Sequence, residues 1–241
     1  MRYTTMDTFI MSTAGCDGTA PDSLESILAG SEAGAGGCCI TADLTADGIA
    51  VLCSCGGYPV PEGFLGLKEH TYFELRSALP KIVTVGQAVE LAKCCAGKMA
   101  VSLGSAAACA AVRIALSTAD MLDNAFITGL GMAEGARLAA RFPTLHVMGD
   151  LPESPVSPAA TARAARDTGL FGLRAAPGHL TPELVRECRE LGLFTASRES
   201  SSIDVLERLI GLRVNFIETA RPDRAYSFLP ARPARKPAGA D

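Results

Sequence analysis

The sequence predicts an α/β protein built as a closed (β/α)8 TIM barrel, and three observations carry that prediction. Short apolar runs alternate with helical stretches along most of the chain. Strands joined through helices pair in parallel with right-handed crossovers. The 241 residues, 48% hydrophobic and 20% charged, are enough for one large domain with a buried core. An open, doubly wound sheet is the alternative arrangement of the same elements.

The first strand falls at 8–13. A helix opens over 21–28, with Pro21 and acidic residues in its first turn. Two short strands at 38–42 and 49–53 flank the turn signal Asp47-Gly48, and a Gly/Pro-rich stretch occupies 56–66. Beyond it, helices over 85–95, 106–116, 133–141, 158–168, 182–190 and 203–210 interleave with strands over 99–103, 125–128, 145–148, 171–173, 193–196 and 215–217. That exceeds eight strands, so one is expected to be peripheral. The barrel is assigned to 1–229, and the Pro/Ala/Arg-rich tail over 230–241 is expected to be disordered.

Composition narrows the function. A net charge of −4 gives no electrostatic reason to expect nucleic acid. No run approaches the ~18–20 apolar residues of a membrane span. The opening residues carry Asp7 and then too short an apolar run for a secretory signal, so a cytoplasmic protein is expected. The nine cysteines are odd in number and include no CxxC, which argues against a disulfide scaffold, a zinc ribbon and a thioredoxin-type motif. They read as small core residues in a reducing compartment.

Several stretches then form an ordered series. Ala20-Pro21-Asp22-Ser23-Leu24 precedes Glu32-Ala33-Gly34-Ala35-Gly36-Gly37 and Leu44-Thr45-Ala46-Asp47-Gly48-Ile49. Tyr72-Phe73-Glu74-Leu75 and Val83-Thr84-Val85-Gly86-Gln87-Ala88 follow, then Leu180-Thr181-Pro182-Glu183-Leu184 and Ile217-Glu218-Thr219-Ala220-Arg221-Pro222-Asp223. In order and spacing, over 8–223, this resembles the glycerophosphodiester phosphodiesterase family. The resemblance implies a TIM barrel, phosphoric diester hydrolysis in glycerophospholipid metabolism, and a Mg or Ca ion.

The chain departs from that family where chemistry is done. The family's His-Arg-Gly falls on Thr13, Ala14 and Gly15, and its Glu-x-Asp on Cys39 and Thr41. Its His-Asp falls on Ser54 and Cys55, and its Glu-x-Lys on Ser102 and Gly104. The family's tryptophan and asparagine fall near Arg198 and Ser201, and Thr219-Ala220 replaces Thr-Asp. Phosphodiester cleavage needs positive charge on the phosphoryl oxygens and a proton for the leaving alkoxide. Cys39, Thr41 and Ser102 supply no carboxylate for a hard cation, so no metal or other cofactor is expected. The reading is a pseudoenzyme, a phosphodiesterase-like barrel with a binding or regulatory role. The alternative is an active phosphoric diester hydrolase using relocated residues at the barrel mouth.

Candidates for relocated chemistry are few. The ionisable residues at strand ends are Asp43, Asp150, Arg174, Arg198, Glu199 and Glu218. Arg174 and Arg198 are the candidate anion-binding residues, and rim ion pairs are the competing reading. His70, His146 and His179 read as structural, with only His179 placed near strand C-termini. Cys39 and Cys55 lie near neighbouring strand ends, where thiolates would favour a soft cation; a neutral, close-packed interior is the simpler reading. Gly34-x-Gly36-Gly37 precedes a strand and fails as a phosphate loop. Gly129-Leu130-Gly131 has the context for an anion at a helix N-terminus. A small phosphorylated or glycerol-derived ligand and a homo-oligomer are the expected partners.

Overall fold

The structure, a computed structural model, describes residues 7–61, 63–154 and 156–229. The first elements are β1 (Phe9–Ser12), α1 (Leu24–Glu32), β2 (Gly37–Leu44), β3 (Ala50–Leu52), β4 (Gly57–Val60) and β5 (Gly63–Gly66). Next come α2 (Tyr72–Ala78), α3 (Val85–Cys95), β6 (Met99–Leu103), α4 (Cys109–Thr118), β7 (Ala125–Thr128), α5 (Met132–Arg141) and β8 (His146–Asp150). The chain continues through α6 (Pro158–Asp167), β9 (Gly172–Ala175), α7 (Pro182–Glu190), β10 (Phe194–Ser197), α8 (Ile203–Gly211), β11 (Phe216–Thr219) and α9 (Pro222–Tyr226).

Strands β1, β2, β6, β7, β8, β9, β10 and β11 pair in that order, all parallel, and β11 returns to β1. The eight-stranded barrel is therefore closed, and the open-sheet alternative falls. Strand β3 is the peripheral ninth, antiparallel to the end of β2. The tail expected to be disordered begins at 230, outside the described residues.

Side-chain alternation along each strand sorts the core into two shells. Ile10, Ile40, Val101, Ile127, Val147, Leu173 and Ile217 face outward and pack on the helices with Val89, Val112, Leu184 and Leu206. Met11, Ala100, Phe126, Met148, Phe194, Ala196 and Phe216 face inward and fill the barrel floor. Cys38 joins the outer shell while its neighbour Cys39 packs inside, as the two-residue period requires.

The 56–66 stretch is not a plain loop. It forms the β4–β5 hairpin, which packs with α2 over a small third cluster of Val51, Cys53, Leu67, Leu75 and Ile82. A capping box between Thr71 and Glu74 starts α2, and another between Thr84 and Gln87 starts α3. The helix expected from 106 begins with a 3-10 turn over Ala106–Ala108 and becomes α-helical only at Cys109. No described helix is long and apolar enough to cross a membrane.

Candidate functional site

Above the apolar floor, the next inward positions at the strand C-termini are polar. Thr13, Thr41, Ser102 and Thr128, together with Ser54, line a cavity of about 310 Å³ at the barrel mouth. Ala14, Pro21 and Cys39 complete one wall, while Arg174, Glu199 and Glu218 bring charge. Thr13 is only 8% exposed, and its Oγ1 is buried without a hydrogen-bond partner among the described residues.

The charge is concentrated on the side of β8, β9 and β11. Arg174 Nε and Nη2 donate to the two carboxylate oxygens of Glu218 at 2.6 and 2.7 Å, and its Nη1 donates to Asp150 Oδ2 at 2.7 Å. Asp150 and Arg174 are register partners on adjacent strands, whereas Glu218 reaches across from β11. The three side chains are 14, 12 and 5% exposed for Arg174, Asp150 and Glu218. Burial raises the Glu218 carboxyl above its ordinary value, with the guanidinium opposing that rise. Burial alone would lower Arg174, but Glu218 and Asp150 more than offset it and raise it. The other Asp150 oxygen accepts from the Gly129 N–H at 3.2 Å. Gly129 has φ +90°, so the Gly129-Leu130-Gly131 turn predicted to suit an anion already faces a carboxylate of this chain.

A second charged group sits at the end of β2. Asp43 accepts from Lys68 Nζ at 2.7 Å, Ser105 Oγ at 2.8 Å and the Leu44 N–H at 2.8 Å. Burial opposes its ionisation, yet these donors hold the carboxyl below its ordinary value. Gly104 lies against it: a Cβ there would stand 2.9 Å from Asp43 Oδ2 and 3.1 Å from its Cβ.

Thr13, Ala14, Cys39, Thr41, Ser54 and Ser102 thus converge on one cavity, while Cys55 is exposed and outside its lining. Arg174 lines the cavity; Arg198 turns to the Leu151 carbonyl at 2.9 Å and Glu153 at 3.5 Å. His146 packs its ring, tilted by 37°, against Phe171 at 4.6 Å and lies at the first residue of β8, at the end opposite the mouth. His179 Nδ1 lies 3.2 Å from the Pro152 carbonyl beside a separate small cavity, and His70 Nδ1 lies 3.0 Å from the Gly66 carbonyl. The interior is not neutral, as the simpler reading held. Arg174, Asp150 and Glu218 place charge on β8, β9 and β11, and Asp43 places a further carboxylate at the end of β2.

A hard cation does not fit these donors. Both Glu218 oxygens and one of Asp150 bind Arg174, and the other Asp150 oxygen binds Gly129. Burial, reinforced by Glu218, holds the Cys39 thiol well above its ordinary value, and sulfur is in any case a poor donor for a hard cation. Among the described residues, no three His, Cys, Asp or Glu side chains are grouped to hold a metal ion.

Comparison with solved structures places this architecture. A glycerophosphodiester phosphodiesterase from Parabacteroides distasonis ATCC 8503 superimposes with a TM-score of 0.75 at 20% identity, over 92% of this chain and 97% of that one. One from Thermotoga maritima gives 0.76 at 15% identity, covering 91% and 97%. An Oleispira antarctica phosphodiesterase, solved in complex with the product sn-glycerol-3-phosphate, gives 0.72 at 15% identity, covering 91% and 96%. No family model and no curated protein matches the chain. At these identities the shared property is the fold: this barrel has the fold of the glycerophosphodiester phosphodiesterases.

Proposed function

We propose that this protein is a glycerophosphodiester phosphodiesterase-like barrel that binds a small phosphorylated or glycerol-derived ligand at its mouth without hydrolysing phosphodiesters. The observation that carries the reading is the engagement of Arg174 by Glu218 and Asp150. The buried cation that would face a phosphoryl group is neutralised from within. The Glu218 and Asp150 carboxylates are spent on that cation. Thr13, Thr41 and Ser102 are hydroxyls with no acidity near neutral pH, so no group at these positions can protonate a leaving alkoxide. Losing cation, acid and positioning lysine together removes many orders of magnitude in rate.

The test is hydrolysis of glycerophosphocholine and bis(p-nitrophenyl) phosphate by the pure protein with Mg²⁺ or Ca²⁺. No turnover above buffer is expected. Metal-dependent turnover abolished by Glu218→Gln or Cys39→Ala would overturn the reading and place a phosphoric diester hydrolase on relocated residues.

A further inference from the structure

The loop after β1 separates the mouth from a second, larger cavity. This groove has a volume of about 650 Å³ and lies between residues 19–25, Tyr58 on β4 and the 78–82 segment that follows α2. Pro21 lines both cavities. A crevice of about 10 Å³ lies between them and shares Ala14 and Cys39 with the mouth and Asp22 and Ser23 with the groove. Asp22 holds the partition in place by accepting from the Ser54 N–H at 2.8 Å and Ser54 Oγ at 2.6 Å.

The two cavities differ in chemistry. Leu79, Pro80 and Ile82 face Ala20 and Pro21 across the groove, and Tyr58 presents its ring while its hydroxyl is tied to the Leu52 carbonyl. Charge is confined to Asp22, Glu25 and Lys81, of which Glu25 and Lys81 form an exposed pair. The mouth instead carries hydroxyls, including the buried, unpartnered Thr13 Oγ1. Among its charged lining residues Arg174 is matched by Glu218, which leaves Glu199 in excess.

We propose that mouth and groove together bind one amphipathic ligand, with an uncharged polyol head among the mouth hydroxyls and an apolar chain in the groove; this rests on the non-hydrolytic reading of the mouth. A buried hydroxyl without a partner is unfavourable until a ligand group pairs with it. A polyol supplies both donors and acceptors, so it satisfies Thr13 and also donates to Glu199. A phosphate meets the excess carboxylate and gains nothing from an arginine that is already paired. Chain burial follows from the groove's apolar walls, each methylene removed from water tightening binding about fourfold.

The experiment is calorimetric titration of the full chain with 1-O-hexylglycerol, glycerol, hexyl phosphate and hexyltrimethylammonium, each below its micellar concentration. The hexyl ether is expected to bind at least about tenfold tighter than glycerol. Ala78→Glu, at an exposed position on the groove wall, should abolish that gain. Thr13→Val, which keeps the shape, should weaken both polyols about tenfold. Melting temperatures confirm that both variants are folded. Equal affinities for glycerol and hexylglycerol, unaffected by Ala78→Glu, overturn the proposal and leave the mouth reading standing. Hexyl phosphate or hexyltrimethylammonium binding as tightly as hexylglycerol also overturns it. Failure of both polyols to bind overturns the proposal together with the binding role of the mouth.

Discussion

Replacing Arg174 by methionine isolates the energetics of the barrel interior. The substitution keeps an unbranched side chain but leaves Glu218, 5% exposed, and Asp150, 12% exposed, without their cation. Breaking a buried pair by deleting one partner costs about 3–5 kcal/mol, chiefly from the stranded charge. For a chain of this size that lowers Tm by on the order of 10 °C. The loss has a defined pH dependence. Burial already raises Glu218, and without Arg174 nothing nearby opposes that rise. A carboxyl raised on folding binds more protons in the folded state, so stability falls as pH increases from the ordinary glutamate range through the raised value. The deficit of Arg174→Met should therefore be larger at pH 8 than at pH 5. Arg174→Met/Glu218→Met should recover most of the loss, since Asp150 keeps its bond from Gly129. Thermal melts of the three proteins at both pH values test this. An unchanged Tm for Arg174→Met, or a larger deficit at pH 5, would refute the reasoning.

Three further outcomes follow from local geometry. Gly104→Ala drives a Cβ to 2.9 Å from Asp43 Oδ2 and should destabilise by about 1–3 kcal/mol, read by denaturant melts. Asp43 is held below its ordinary value, so its contribution is present above the unfolded aspartate value and lost as pH falls through the folded one. Asp43→Asn should flatten that acid limb, by less than about 1 kcal/mol because Lys68 is largely exposed. In thiol titration with Ellman's reagent, the exposed Cys55 and Cys94 should react first, while Cys38 and Cys188, pushed by burial to about 12, should react only on unfolding.

The barrel was legible because its strands, buried on both faces, read as short apolar runs that alternate with helical stretches along the chain. Even the peripheral strand was expected, and it proved to be β3. The β4–β5 hairpin and α2 were missed because glycine and proline in 56–66 read as loop and α2 has only seven residues. Thr71-x-x-Glu74 was the available signal, a capping box visible in the sequence. The mouth residues were legible as strand ends, since a barrel brings all its C-termini to one face. The ion network was half legible. Asp150, Arg174 and Glu218 stood out as ionisable strand ends, but their pairing depends on Glu218 reaching across from β11 to β9. The groove depended on the missed excursion and left no pattern of its own.

The central claim is that Glu218 and Asp150 are committed to Arg174, which leaves, among the described residues, Glu199 as a lone carboxylate in the mouth and no clustered site for a hard cation. Calorimetric titration of the pure protein with Ca²⁺ and Mg²⁺ at neutral pH tests it most directly. No binding heat is expected from either ion, and the same silence is expected in Glu218→Gln. Micromolar binding of either ion that disappears in Glu218→Gln or Asp43→Asn would contradict it.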